Sequence, residues 1–299
     1  NSSDKTSDVV NLFKKRFKRT YLISGKKLPP GWVGKTWAMK QGVDFANQKF
    51  YDFYTFVDSD IVINKNLLKK VSLFMNGGKY LMISLMAKLN CQSNWEKLLI
   101  PPFIFFFQKL YPFNLVICSK SKISAAAGGF IFCKAEILRN ENFYNKKKDK
   151  VIDDCNIANL FKKKGNIWLG LTNEVVSHRK YLFFDEIWQM VSRTAFEQLK
   201  YSIFLLTISI LSLIITYIFP LISFFFSICA IVSDQIFLPS IISNTLSLLI
   251  MVIIFSPTVR FYKLNIKYTL TLPFSAFIYG LMTIASASNY LFLSGNRWK

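Results

Sequence analysis

A chain of 299 residues that is 52% hydrophobic and 16% aromatic, yet carries a formal net charge of +21, does not read as an ordinary soluble domain. The two features separate along the sequence: most Lys and Arg precede Tyr201, whereas residues 202–293 hold only Asp234, Arg260, Lys263 and Lys267, the signature of a membrane protein. A single histidine, His178, and five cysteines without a CxxC spacing argue against a zinc site or a Ser-His-Asp triad, so any chemistry falls to carboxylates.

In residues 4–19, Val9, Val10, Leu12, Phe13 and Phe17 recur near helical spacing, with Asp4 or Ser7 as the cap, and predict a first helix. Residues 21–24 read as a short strand, Pro29-Pro30-Gly31 breaks the chain, and a second helix is expected over 35–47. An apolar strand over 53–57 ends at Asp58-Ser59-Asp60, and a helix over 66–74 and a strand over 80–85 follow. This alternation predicts an α/β sheet with parallel strands.

Residues 95–113, aromatic around Pro101-Pro102, are too short and interrupted for a comfortable crossing. They read as an interfacial segment with Lys97 and Lys109 reaching for phosphates, an aromatic core helix being the alternative. Gly128-Gly129 leads to a strand over 130–133. A basic loop then reaches Val151-Ile152-Asp153-Asp154, a helix through 164, a strand over 167–171 and an amphipathic helix over 185–199.

Residues 202–225, 236–255 and 270–291 each approach the ~20 apolar residues that span a bilayer. The expected organisation is a domain over 1–200 and a membrane region over 201–299 with three crossings, unless Pro220 divides the first. Arg260, Lys263 and Lys267, set against Asp234, put the N-terminal domain in the cytosol of a multi-pass inner-membrane protein, although Arg297 and Lys299 then fall outside. The clusters Lys14-Lys15-Arg16 with Lys18-Arg19, and Lys146-Lys147-Lys148 with Lys150, suit acidic headgroups or are a solvated lysine surface. No recognised nucleic-acid motif accompanies them. The cysteines read as reduced, buried small hydrophobes.

Two acidic pairs carry the chemical reading. Asp58 and Asp60 emerge where open α/β sheets hold ligands, and alternate carboxylates there can serve a ribose and a Mg²⁺ or Mn²⁺ bridging a diphosphate. A lone DxD is usually a solvated turn. Asp153-Asp154 opens a helix and reads either as an N-terminal cap or as a base accepting a proton from a hydroxyl. Gly128-Gly129 permits close approach of an acceptor or is a packing turn, and Lys35 can pair with a phosphate.

The ordered set Gly34-Lys35, Ala38, Gly42, Asp58-Ser59-Asp60, Gly128-Gly129 and Asp153-Asp154 resembles the family 2 glycosyltransferases of GT-A fold, a Rossmann-like architecture, here followed by transmembrane helices. The segments around Gly31-Trp32-Val33-Gly34-Lys35-Thr36-Trp37-Ala38, Leu98-Leu99-Ile100-Pro101, Ile152-Asp153-Asp154-Cys155, Ile167-Trp168-Leu169-Gly170-Leu171-Thr172 and Arg193-Thr194-Ala195-Phe196 are similar to hopene-associated glycosyltransferases, over nearly the full chain. The resemblance implies a UDP-sugar-type donor, Asp60 as metal ligand, Asp58 near the nucleotide, Asp154 as general base and Asp153 in support. Asn1-Ser2-Ser3-Asp4 is similar to the tail of the family's first nucleotide-binding motif, so the first strand is expected to precede residue 1 and the chain as given to be inactive.

Lys40 stands where many relatives have Asn. Trp188 and Arg193 have residue types of the processive QxxRW motif at the wrong spacing, which favours a single transfer to a lipid over polymer synthesis, with Arg193 meeting a diphosphate or the membrane surface. A processive polysaccharide synthase and a non-catalytic scaffold or transporter are the alternatives.

Overall fold

The computed structural model describes residues 4–140, 144, 153–232 and 238–292. They fall into two compact units, one drawn from the described residues of Asn1–Tyr54 and Cys133–Asp153, the other from those of Thr55–Phe132 and Asp154–Asn296.

Among the described residues five strands, β1 Phe53–Val57, β2 Ile61–Ile63, β3 Met82–Lys88, β4 Phe130–Lys134 and β5 Ile167–Ser177, form one sheet in the order β1-β4-β3-β5-β2. The central β3 is buried from Met82 to Ala87, which is why it reads as an apolar run rather than an alternation. β5 pairs in parallel with β3, Met82 opposite Ile167. It then runs past its expected end at 171 and pairs antiparallel with β2, Ile61 opposite Ser177. The sheet is therefore mixed where parallel strands were expected. Three residues after a turn are too few for β2 to show a period of its own.

In the larger unit, α3 Leu67–Asn76 buries Leu67, Val71 and Met75, and α7 Asp153–Lys164 buries Ile157, Ala158 and Phe161. Val151, Ile152 and the basic cluster from Lys146 to Lys150 lie outside the described residues. In the smaller unit, α1 Thr6–Arg16 and α2 Gly34–Ala46 appear close to expectation, and α6 Ala135–Asn140 follows β4. The strand expected over 21–24 is absent. Tyr21 packs on Phe45 at 5.3 Å, Lys26 N–H donates to Gln41 Oε1 at 2.7 Å, and Trp37 Nε1 donates to the Lys26 carbonyl at 3.1 Å. Side chains of α2, not a ladder, hold this stretch.

The aromatic segment is a buried helix, α4 Asn94–Leu110, with a short α5 Phe113–Ile117 behind it. Ser93 and Glu96 form a capping box at its start. Pro102 cannot donate to the Leu98 carbonyl, and the Ser275 hydroxyl supplies that bond at 3.0 Å, while Tyr279 Oη donates to the Leu99 carbonyl at 2.7 Å. The helix expected over 185–199 divides into α8 Phe184–Ser192 and α9 Ala195–Gln198, because the Phe196 N–H is taken by Ser286 Oγ at 3.0 Å.

Among the described residues, three helices are long and apolar enough to cross a membrane: Ile203–Cys229, Leu238–Phe261 and Ile266–Phe292. Pro220 does not divide the first. Instead the helix widens into a π-turn over Ile214–Ile218, just before the missing donor. Asn244 of the second helix donates to Ser223 of the first at 2.8 Å, a polar contact that holds two helices together where no hydrophobic drive does. Cys133 is buried as expected, but Cys118 and Cys229 are exposed and Cys91 and Cys155 half-buried. Two of them lie on a loop and on an outward helix face, so local apolarity alone misplaced them.

Candidate functional site

Asp58-Ser59-Asp60 is the turn between β1 and β2, closed by the Ile61 N–H donating to the Asp58 carbonyl at 3.1 Å. The extension of β5 then clamps Asp60 from two sides. Its carbonyl accepts the His178 N–H at 2.8 Å, and its carboxylate accepts the hydroxyl of buried Ser177. The carboxylate is thereby oriented rather than free to rotate.

Just beyond β5, the Arg179 guanidinium lies 5.2 Å over the Tyr181 ring. Arg193, which follows α8, lies within electrostatic reach of both. Burial, and then the neighbouring Arg179 charge, lowers the affinity of Arg193 for its proton. Burial raises the Tyr181 phenol, with the Asp60 charge pushing the same way and the two arginines opposing it. Around this phenol the charges of Arg179 and Arg193 are set against those of Asp60 and Glu186, and the planar forks of the two guanidiniums suit the oxygens of a phosphorylated anion.

The second half of the site is joined to the first by the backbone of residues 126–129. The Asp58 N–H donates to the Gly129 carbonyl at 3.4 Å, and the Cys155 thiol donates to the Ala126 carbonyl at 3.8 Å. Ser84 of β3 fixes the segment between them, accepting the Ala127 N–H at 2.8 Å and donating to its carbonyl at 3.2 Å. Three residues of chain reach at most about 10 Å, and the two hydrogen bonds add 3.4 Å and 3.8 Å, so the Asp58 nitrogen and the Cys155 sulfur lie within about 17 Å of each other. Asp154, half-buried there, accepts the Cys155 N–H at 2.8 Å.

Tyr111, at the end of α4, faces this turn. Burial, and then the Cys155 thiol and the Asp154 carboxylate, push its phenol far above the usual range. It stays protonated, and its hydroxyl donates to Gln198 Oε1 of α9 at 2.5 Å. The site can thus hold a phosphorylated anion at one end and offer a proton acceptor at the other.

Asp58, Asp60, Gly129 and Asp154 are brought together, and Arg193 joins Asp60 around Tyr181. Gly129 is a packing glycine as well as a site glycine, because a Cβ there would stand 3.1 Å from Ala87 Cβ and 3.3 Å from Ile61 Cδ1. Gly128 precedes it, half-buried. Trp188 packs on Phe184 at 5.6 Å within a hydrophobic cluster. Asp153 opens α7, and its side chain lies outside the described residues. Lys35, in the first turn of α2, and Asp4, before α1, belong to the smaller unit. The Asp4 carboxylate accepts the Thr6 hydroxyl at 2.5 Å and the Thr6 N–H at 3.0 Å, which hold it below its ordinary range.

Ser177, Arg179, Tyr181, Tyr111 and Gln198 carried no signal in the sequence. The one trace was that β-branched residues continue to Val175-Val176, past the expected strand end.

Among the described residues no three His, Cys, Asp or Glu side chains gather. A magnesium-like ion bound through a substrate's phosphates asks for only one or two carboxylates, and the hard oxygens of Asp58 and Asp60 fit that mode rather than an all-protein cage. No protein-family model matches the chain, and no curated protein matches it.

Proposed function

We propose that this chain is a membrane-bound inverting glycosyltransferase of GT-A fold, moving one sugar from a nucleotide-sugar donor to a lipid acceptor at the cytosolic leaflet of the inner membrane. The observation that carries the reading is the 126–129 segment, which ties the carboxylate turn to the helix start bearing Asp154. Apolar helices in the same compact unit, long enough to cross a bilayer, supply a reason for a lipid acceptor.

In this reading Asp58 faces the nucleotide, and Asp60, Arg179 and Arg193 hold the diphosphate. Asp58 and Asp60 would also hold a Mg²⁺ or Mn²⁺, whose chemistry is to neutralise charge on the departing diphosphate. Asp154 accepts the proton of the acceptor hydroxyl as its oxygen bonds to the anomeric carbon. The bond from that carbon to the phosphate oxygen breaks on the opposite face, the configuration inverts, and a nucleoside diphosphate leaves. Tyr111, held protonated by its surroundings, keeps α9 against the Asp154 turn through Gln198. Asp153 supports Asp154, and Gly128 and Gly129 line the acceptor's approach.

Calorimetric titration of the full-length, detergent-solubilised protein with UDP should give binding that requires Mn²⁺ and is lost in Asp60→Ala. Asp154→Asn should keep that binding but lower sugar transfer by about 100-fold or more. Unaltered turnover in Asp154→Asn would remove Asp154 as the base, and no UDP binding under any metal condition would remove the donor assignment.

A further inference from the structure

The three apolar helices differ in what covers them. In its most apolar stretch, the third helix, Ile266–Phe292, is 56% buried, against 11% for the first and 17% for the second. The first two helices bury part of it, Leu272 and Ala276 packing with Tyr217, Met251 and Phe255, and the sheet-bearing part of the same unit buries the rest. Ile278, Tyr279 and Met282 share a hydrophobic cluster with Met86 of β3, Tyr181, and Ile187 of α8.

Both ends of the third helix return to the side of the sheet. Ahead of it, Phe261 and Tyr262 lie under the Lys88 ammonium at the end of β3, with ring centroids 5.3 Å and 5.8 Å away. At its far end, Tyr290 stacks on Tyr201 at 4.2 Å and meets Phe196 at 5.7 Å. Tyr201 is where the chain leaves α9 for the first apolar helix. The third helix runs antiparallel to the first: Tyr290 meets Tyr201, and a Cβ on Gly280 would stand 3.8 Å from Ile210 Cδ1. In a sequential three-crossing bundle the first and third helices point the same way, because each crossing reverses direction.

Depth gives the same answer. A helix rises 1.5 Å per residue, so if the third helix crossed, its midpoint near Tyr279 would sit about 15 Å from either interface. Tyr279 Oη donates to the Leu99 carbonyl, and three residues earlier the Glu96 carboxylate binds the backbone N–H groups of Gln92, Ser93 and Tyr181. A crossing would carry that charge and the irregular backbone around it to the bilayer centre.

We propose that only the first two apolar helices cross the bilayer, as a hairpin, and that the third enters and leaves on the side of the sheet, with its outer face seated on phospholipid acyl chains. That outer face is a stripe at helical spacing, Leu270, Phe274, Phe277, Leu281, Ile284 and Leu291, each between 41% and 70% exposed. Its occupant is bilayer rather than another protein because the stripe is continuous with the chain of the crossing hairpin, and lipid already surrounds that hairpin in any membrane reading. Charge agrees as well. Residues 230–237, joining the first two helices, carry no Lys or Arg, whereas Arg260, Lys263, Lys267, Arg297 and Lys299 all fall on the sheet's side in this topology.

The inference does not depend on the transferase chemistry. Its test uses the full chain in a bacterial membrane, with a short cysteine-bearing tag after Lys299 in one version and Asp234→Cys in another, probed in intact cells by a membrane-impermeant maleimide. Native cysteines are controlled by the untagged chain, and lysed cells confirm that each introduced thiol reacts. The tag should label only after lysis and Asp234→Cys in intact cells. A tag that labels in intact cells while the N-terminal domain stays protected would overturn the proposal in favour of three crossings. Protection of both thiols would overturn it by removing the hairpin.

Discussion

Glu96 is fully buried at the start of α4, where its carboxylate accepts four hydrogen bonds, from Asn90 Nδ2 and the backbone N–H groups of Gln92, Ser93 and Tyr181. Burial alone would raise its pKa, but the N–H donors outweigh burial and hold it below the ordinary glutamate value of 4.5. The folded state therefore binds its proton less readily than the unfolded chain does. This contribution to stability is complete above pH 4.5 and is lost as pH falls through the depressed folded value. Thermal unfolding in detergent should show a loss of stability on acidification that is smaller in Glu96→Gln than in the parent. Glu96→Ala strands buried donors and should cost about 1–3 kcal/mol for each one left unsatisfied. At Gly129, the added methyl of Gly129→Ala presses on Ala87 and Ile61, and overpacking of this kind typically costs about 1–3 kcal/mol, read as a lowered Tm.

Among the elements, α4 shows how a helix accommodates two prolines in its interior. Two consecutive prolines remove two donors from its interior, and a hydroxyl of the third apolar helix, Ser275, supplies the one missing at the Leu98 carbonyl; one residue on, Tyr279 Oη adds a bond to the Leu99 carbonyl. Ser275→Ala should cost about 1 kcal/mol in the parent. In a Pro102→Ala background the restored N–H can serve Leu98 itself, so the same change should cost clearly less, and a double-mutant cycle on Tm reads the coupling. Equal costs in both backgrounds would mean that Ser275 is not compensating for the proline. The same device recurs in the second apolar helix, where Ser256 Oγ donates at 3.0 Å to the Ile253 carbonyl that Pro257 leaves without its usual donor. The sequence reading over 95–113 sets an interfacial segment ahead of an aromatic core helix because it counts only local donors. The donor that mattered came from 177 residues away.

For the whole molecule, the sheet and the apolar helices share cores. Phe105 of α4 packs on Phe255 at 5.2 Å and on Tyr217 at 6.4 Å, and Tyr279 and Met282 complete the cluster that holds Met86 and Ile187. A fragment ending at Tyr201 should therefore expose the floor of its own core and aggregate, whereas a fragment that stayed soluble and cooperative in thermal unfolding would show the sheet to be independent of the helices. What the sequence by itself determined are features set by local period, length or cap: α2, β1, α3, the carboxylate turn, the helix opening at Asp153 and three apolar stretches of membrane length. Those patterns need no partner to be legible, since burial on one face imposes a repeat of 2 or 3.6 wherever the face ends up. The tertiary structure alone decided the antiparallel pairing of β2 with the end of β5, the clamp on Asp60, the reach of residues 126–129 from Asp58 to Cys155, and the direction of the third apolar helix. Each of these is a contact between residues far apart in the chain, and a local pattern records that a face is apolar or a carbonyl lacks its donor, not which distant residue will answer it.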